Sequence, residues 1–161
     1  MKTILTFLSI LAFGIHGFAA EATMDVKDKA GNVQWTLKLT TEGPGKDAIT
    51  VRAPGGNRAI VLLRLGVQSG RERAAAITGL SRIEEMARNA QSQRLTVPME
   101  KYAEPTINGW FNSFAFRINQ KGEHEMIVNG NPYTPDQVKS LKELVNRLDS
   151  YAAELRKATK I

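Results

Sequence analysis

Eight of the eleven arginines in this chain fall between Arg52 and Arg94: Arg52, Arg58, Arg64, Arg71, Arg73, Arg82, Arg88 and Arg94. That window holds no lysine and only three glutamates, so it carries most of the positive charge of the chain. A guanidinium is a planar fork that grips carboxylate, phosphate or sulfate through paired N–H bonds, where an ammonium acts only as a point charge. An arginine-rich, lysine-free window therefore points to recognition of an anion, with a solvated helix face as the competing reading. Arg71, Arg73, Arg82 and Arg88, which share one predicted helix, are the candidate ligand- or partner-binding residues. Aromatic residues do not interleave with them, which argues against stacking on single-stranded nucleic acid.

The stretch "AIVLLRLGVQSGRERAAA" raises a second chemistry, that of a phosphate-binding loop between a strand and a helix. Such a loop needs four residues between its glycines, then a lysine and a hydroxyl residue. Gly66 and Gly70 have three residues between them, Arg71 stands at the lysine position, and Glu72 puts a negative charge where the hydroxyl should be. Ser69 and Glu72 instead match a capping box, in which the two residues satisfy each other's free amides at a helix start.

Catalytic side chains are scarce. The chain has no cysteine and two histidines, His16 and His124. Thiol chemistry is thereby excluded, and a zinc site would rest on one histidine plus carboxylates. His124 lies between Glu123 and Glu125, but on a strand neighbours point to opposite faces, so the two carboxylates share a side that His124 does not. No catalytic residue, metal site or cofactor is assigned.

The elements that must hold these residues follow from periodicity. "VQWTLKLT" alternates Val33, Trp35, Leu37 and Leu39 with polar residues, "AITVRA" resumes a strand after "TEGPGKD", and "AIVLLRL" reads as a central strand apolar on both faces. From Gly70 to about Gln91 the period becomes helical, with Ala76, Leu80, Ile83, Ala87 and Ala90 on one face and Glu84 four residues before Arg88. "WFNSFAFRI", "NQKG" and "EHEMIVNG" make a hairpin, and Asn129-Gly130 suits a tight turn. Thr134, Pro135 and Gln137 then open a last helix whose stripe runs Val138, Leu141, Val145, Leu148, Ala152 and Leu155, widened by Leu144 and Tyr151. The predicted class is α+β: one antiparallel sheet of about five strands, a three-stranded meander plus a C-terminal hairpin, with two main helices packed on it. Residues 21–32 are expected as an N-terminal tail and 33–161 as one domain.

Residues 1–20 combine Lys2, an apolar run from Ile4 to Phe13 and small residues before Ala19 and Ala20, the pattern of a secretory signal peptide cleaved near that point. The apolar run is shorter than a membrane-spanning helix needs. Removal of the leader leaves 21 basic against 16 acidic residues. The expectation is a small periplasmic or secreted, non-enzymatic binding or accessory protein, taking an anionic envelope component or protein partner on the arginine-rich surface. Two rivals from other classes are an envelope-polymer hydrolase with a carboxylate pair and a structural oligomer built through the last helix. The first requires two carboxyl groups about 5–9.5 Å apart across a cleft.

Overall fold

A computed structural model describes residues 20–41, 46–54, 60–65, 69–103 and 113–159. Residues 1–19, most of the expected leader, lie outside the described residues, as do Arg58, Gly66, Trp110 and the side chain of Ser69, and with them the first capping box. The class is α+β, and the described residues form three helices and two antiparallel sheets of four strands each, instead of the single five-stranded sheet that periodicity suggests. Contacts divide the chain into two compact units, residues 1–70 with 147–161, and residues 71–146.

In the first unit β1 (Ala20–Lys27), β2 (Val33–Thr41), β3 (Asp47–Arg52) and β4 (Val61–Arg64) form a meander in sequence order. Residues 20–27, expected within leader and tail, thus pair with β2 along its length, Met24 opposite Leu37 and Val26 opposite Trp35. One sheet face carries Met24, Trp35, Leu37, Ile49, Val51 and Leu63, all buried, and the other carries Lys38 paired with Glu21 at 2.7 Å. Within the apolar segment read as a central strand, Val61–Arg64 form β4, which lies at the edge of the sheet among the described residues. Its buried residues Val61 and Leu63 face the core while Leu62 is half-buried. The C-terminal helix α3 (Leu148–Thr159) packs against β1 and buries Leu148, Tyr151, Ala152 and Leu155. Its Arg156 reaches Asp47 at the start of β3, at 2.7 Å.

The second unit begins with most of α1 (Ser69–Ser92) and continues through β5 (Met99–Tyr102), β6 (Phe114–Ile118), β7 (His124–Val128) and β8 (Asn131–Tyr133) to α2 (Pro135–Asn146). These strands form a second meander. Helix α1 runs along β6: Gly79 lies on the Phe114 ring, and Met86, Ala87 and Ala90 pack with Phe116 and Ile118. Asn129 and Gly130 both have positive φ, 47° and 80°, between the paired residues Val128 and Asn131. That is the backbone a two-residue hairpin turn of the primed type requires. The edge strands are blunted by charge on β5 (Glu100, Lys101) and by Pro132 on β8.

The predicted last helix is two helices. It breaks at Arg147 with no glycine or proline at the break, and its apolar stripe is shared between the units: Val138, Leu141, Leu144 and Val145 on α2, the rest on α3. All eight stripe residues are buried within the chain.

Candidate functional site

The arginines of α1 do not meet. Arg71 and Arg82 share a side within about 20°, but they lie about 16 Å apart along the axis. Arg73 projects from the opposite side and Arg88 about 100° from Arg71. Arg82 is engaged by Glu85 at 2.9 Å, the Arg73 Nε is buried, and Arg71 and Arg88 are exposed. Glu84, four residues before Arg88, turns instead to Lys142 on α2. Partial burial of both groups makes that tertiary pair stronger than an exposed i,i+4 contact. Arg52 and Arg64 belong to β3 and β4 of the other unit.

A concavity of about 710 Å³ opens where the C-terminal end of α1 passes the β6–β7 hairpin and the junction of β8 with α2. Ala87, Leu95, Met126, Pro132 and Tyr133 supply apolar wall, and Gln91, Arg94, Thr96, Glu125 and Gln137 supply polar groups. Each wall is fixed by local structure. Helix α1 ends with Leu95 N–H donating to the Ala90 carbonyl (3.0 Å) and Arg94 N–H to the Gln91 carbonyl (3.1 Å). These paired bonds are the Schellman termination, which places Arg94 in the left-handed region at φ 52°.

The following segment is clamped by the hairpin. His124 Nε2–H donates to the Leu95 carbonyl at 2.6 Å, and its ring meets the Phe116 ring edge-on at 5.5 Å between centroids. Because a carbonyl only accepts, this bond puts the proton on Nε2, fixes the ring against Leu95 and leaves Nδ1 as the acceptor nitrogen of the neutral ring. Gly122, at φ 78°, passes beside Thr96, whose Cβ would lie 3.3 Å from a side chain at Gly122. On the opposite wall Thr134 and Gln137 exchange the two bonds of a capping box, Thr134 N–H to Gln137 Oε1 at 3.0 Å and Gln137 N–H to Thr134 Oγ1 at 3.3 Å. Burial pushes the Tyr133 phenol above its ordinary value.

Glu125, the one carboxylate on the wall, is already bound. Arg117 holds it through Nε and a terminal nitrogen, each at 2.7 Å, and Asn119 Nδ2 donates to its other oxygen at 3.1 Å. The Arg117 bond, aided by Asn119 and opposed by desolvation, holds the carboxyl below its ordinary value. A second concavity, about 450 Å³ beside Pro98, Met99 and Arg117, also has a single carboxylate, Glu100. Among the described residues no group of three histidine, aspartate or glutamate side chains is placed to hold a metal ion. Nor is any described helix long and apolar enough to cross a membrane.

Several polar groups of the larger groove are thus spent on the fold, and Arg94 is its charged group with no side-chain partner among the described residues. Sequence reasoning places Arg94 in the arginine-rich window but not in the site. The one signal was a helix pattern ending at "QSQRL" with no glycine to take the left-handed position. No protein-family model, curated protein or solved structure matches the chain.

Proposed function

We propose that the chain is a small exported binding module, periplasmic or secreted and non-enzymatic, and that the groove beside the end of α1 is its ligand seat. The carrying observation is the groove itself, with a volume in the range of small-molecule sites and an apolar wall interrupted by few polar groups. Among the described residues its one carboxylate, Glu125, is paired with Arg117, and His124 is held through Nε2 by the Leu95 carbonyl. This favours binding over carboxylate hydrolysis, which needs two carboxyl groups across the cleft. The burial of the α2–α3 stripe within the chain weighs against assembly through it.

The test uses the neutral fluorophore phenylnaphthylamine. The full chain should bind it at one site, and Gln91→Trp, an exposed change that fills the groove, should abolish the signal. Saturable binding untouched by Gln91→Trp and by Thr96→Trp would remove the groove from the reading. Export is checked separately: expressed with its leader, the protein should appear outside the cytoplasm with a new N-terminus near Glu21.

A further inference from the structure

We infer that Arg94 is the anion anchor of this groove, and that the ligand is a small molecule with an apolar body and one carboxylate, sulfonate or sulfate head. This inference rests on the groove being the ligand seat and names the class of molecule that fits it.

Two independent observations meet at this residue. The first is conformational. Arg94 occupies the position of a Schellman termination at which the backbone turns left-handed, with φ 52°. Glycine takes that conformation without steric conflict, whereas a Cβ crowds the following carbonyl. Asn129 is the other described non-glycine residue at positive φ, and its short amide compensates by accepting from the Ser113 amide. Arg94 has no such bond: its side chain is exposed and without a partner among the described residues. The fold gains nothing from arginine here that glycine would not supply at lower cost. Backbone strain retained without a structural return is the signature of a functional position.

The second is chemical complementarity. Arg94 lines a cavity whose apolar wall is Ala87, Leu95, Met126, Pro132 and Tyr133. Among the described residues the other charged group on that wall, Glu125, is neutralised by Arg117. Among the described residues, an anion entering the groove therefore meets one free cation and no free carboxylate. A guanidinium beside an apolar wall suits a planar oxyanion head bound through two N–H groups, with the tail of the molecule against the wall. Gln91, one helical turn before Arg94 and also on the wall, can donate to the same head.

The experiment compares two fluorophores that share one aromatic body, neutral phenylnaphthylamine and its sulfonated counterpart anilinonaphthalene sulfonate, on the full chain. The wild type should bind the sulfonate more tightly. Arg94→Gly should weaken sulfonate binding about tenfold or more, the loss of one charge-assisted contact, and leave the neutral probe unchanged. The same variant should melt roughly 3 °C higher, because glycine relieves the left-handed backbone. A residue kept for stability would lower the melting temperature when replaced, so opposite signs in affinity and stability are the decisive pattern. Equal affinity of wild type and Arg94→Gly for the sulfonate overturns the anchor, as does an equal loss for both probes. The control Gln91→Trp should abolish both signals. If both probes still bind to it and to Thr96→Trp, the groove reading has failed, an outcome distinct from failure of Arg94 alone.

Discussion

Gly79 in the middle of α1 faces the ring of Phe114 on β6 with no room for a side chain: a Cβ there would sit 2.8 Å from Cε2 and 2.9 Å from Cγ. Phe114 is 1% exposed, so the ring cannot move aside into solvent. The close approach lets the helix lie flat on the sheet and so sets the position of its far end, where the groove begins. Alanine normally improves a helix interior over glycine by about 1 kcal/mol. Here overpacking of about 1–3 kcal/mol opposes and exceeds that gain. Gly79→Ala should therefore destabilise the protein, by up to about 2 kcal/mol in urea unfolding. Gly70, near the start of the same helix, has nothing within 4 Å of its would-be Cβ. Gly70→Ala should leave stability unchanged or raise it by up to about 1 kcal/mol. If the two substitutions shift stability in the same direction, the Phe114 contact is not what demands glycine.

The start of α2 offers a second test. Thr134 and Gln137 satisfy each other's amides, so either substitution to alanine removes one bond of the box. Thr134→Ala should cost about 1 kcal/mol, and the double variant less than the sum of the singles because both bonds belong to one unit. Additive losses in chemical denaturation would show that the two bonds form independently.

Much of this was legible in the sequence because it rests on local rules. Trp35, Leu37 and Leu39 alternate because one sheet face is buried, Asn129-Gly130 supplies two positive-φ residues, and Thr134-Pro135 opens a helix. What escaped rests on pairing or on burial that periodicity does not carry. Strand β1 alternates through Ala22, Met24 and Val26, of which only valine favours strands. All four residues of β5 are exposed, so no apolar period marks it. Strand β4 is apolar enough for a central strand, yet hydrogen bonding places it at an edge. The break at Arg147 is invisible because the three-four spacing runs through it unbroken, although the halves pack into different units. The arginines of α1 are close in sequence, but a helix spreads residues around and along its axis. The arginine that lines the groove lies just beyond the helix, where only the backbone dihedral sets it apart.

Glu84 and Lys142 illustrate the same limit, since the nearest complementary charge in sequence, Arg88, is not the partner. Their side chains are 17% and 27% exposed, between the surface pairs that contribute little and the buried pairs whose rupture is severe. Glu84→Gln or Lys142→Met alone should cost about 1–2 kcal/mol. A double-mutant cycle should return a coupling near 1 kcal/mol that shrinks in high salt. The cycle Glu84→Gln with Arg88→Met should show no coupling. A coupling there as large as with Lys142 would contradict the tertiary pairing.

Glu125 gives the clearest pH signature in the second unit. Arg117, with help from Asn119, holds its carboxyl below the usual 4.5. The folded protein therefore releases this proton more readily than the unfolded chain. The pair's contribution to stability is full above the ordinary carboxylate value and is lost as pH falls through the depressed one, so acid and not base should loosen the β6–β7 hairpin. Both side chains are partly exposed, which screens the effect and keeps it small beside the burial of Phe116 and Ile118. Carboxyl carbon shifts followed by NMR should show Glu125 titrating below the other glutamates, and Arg117→Met should return it toward 4.5. The variant should also lose the acid-side fall in stability that this carboxylate contributes while keeping the wild-type response of the remaining carboxyl groups. If Glu125 already titrates at the ordinary value in the wild type, its bonds to Arg117 and Asn119 do not persist in solution. It would then stand in the groove as a free carboxylate, competing for Arg94 with any anionic ligand.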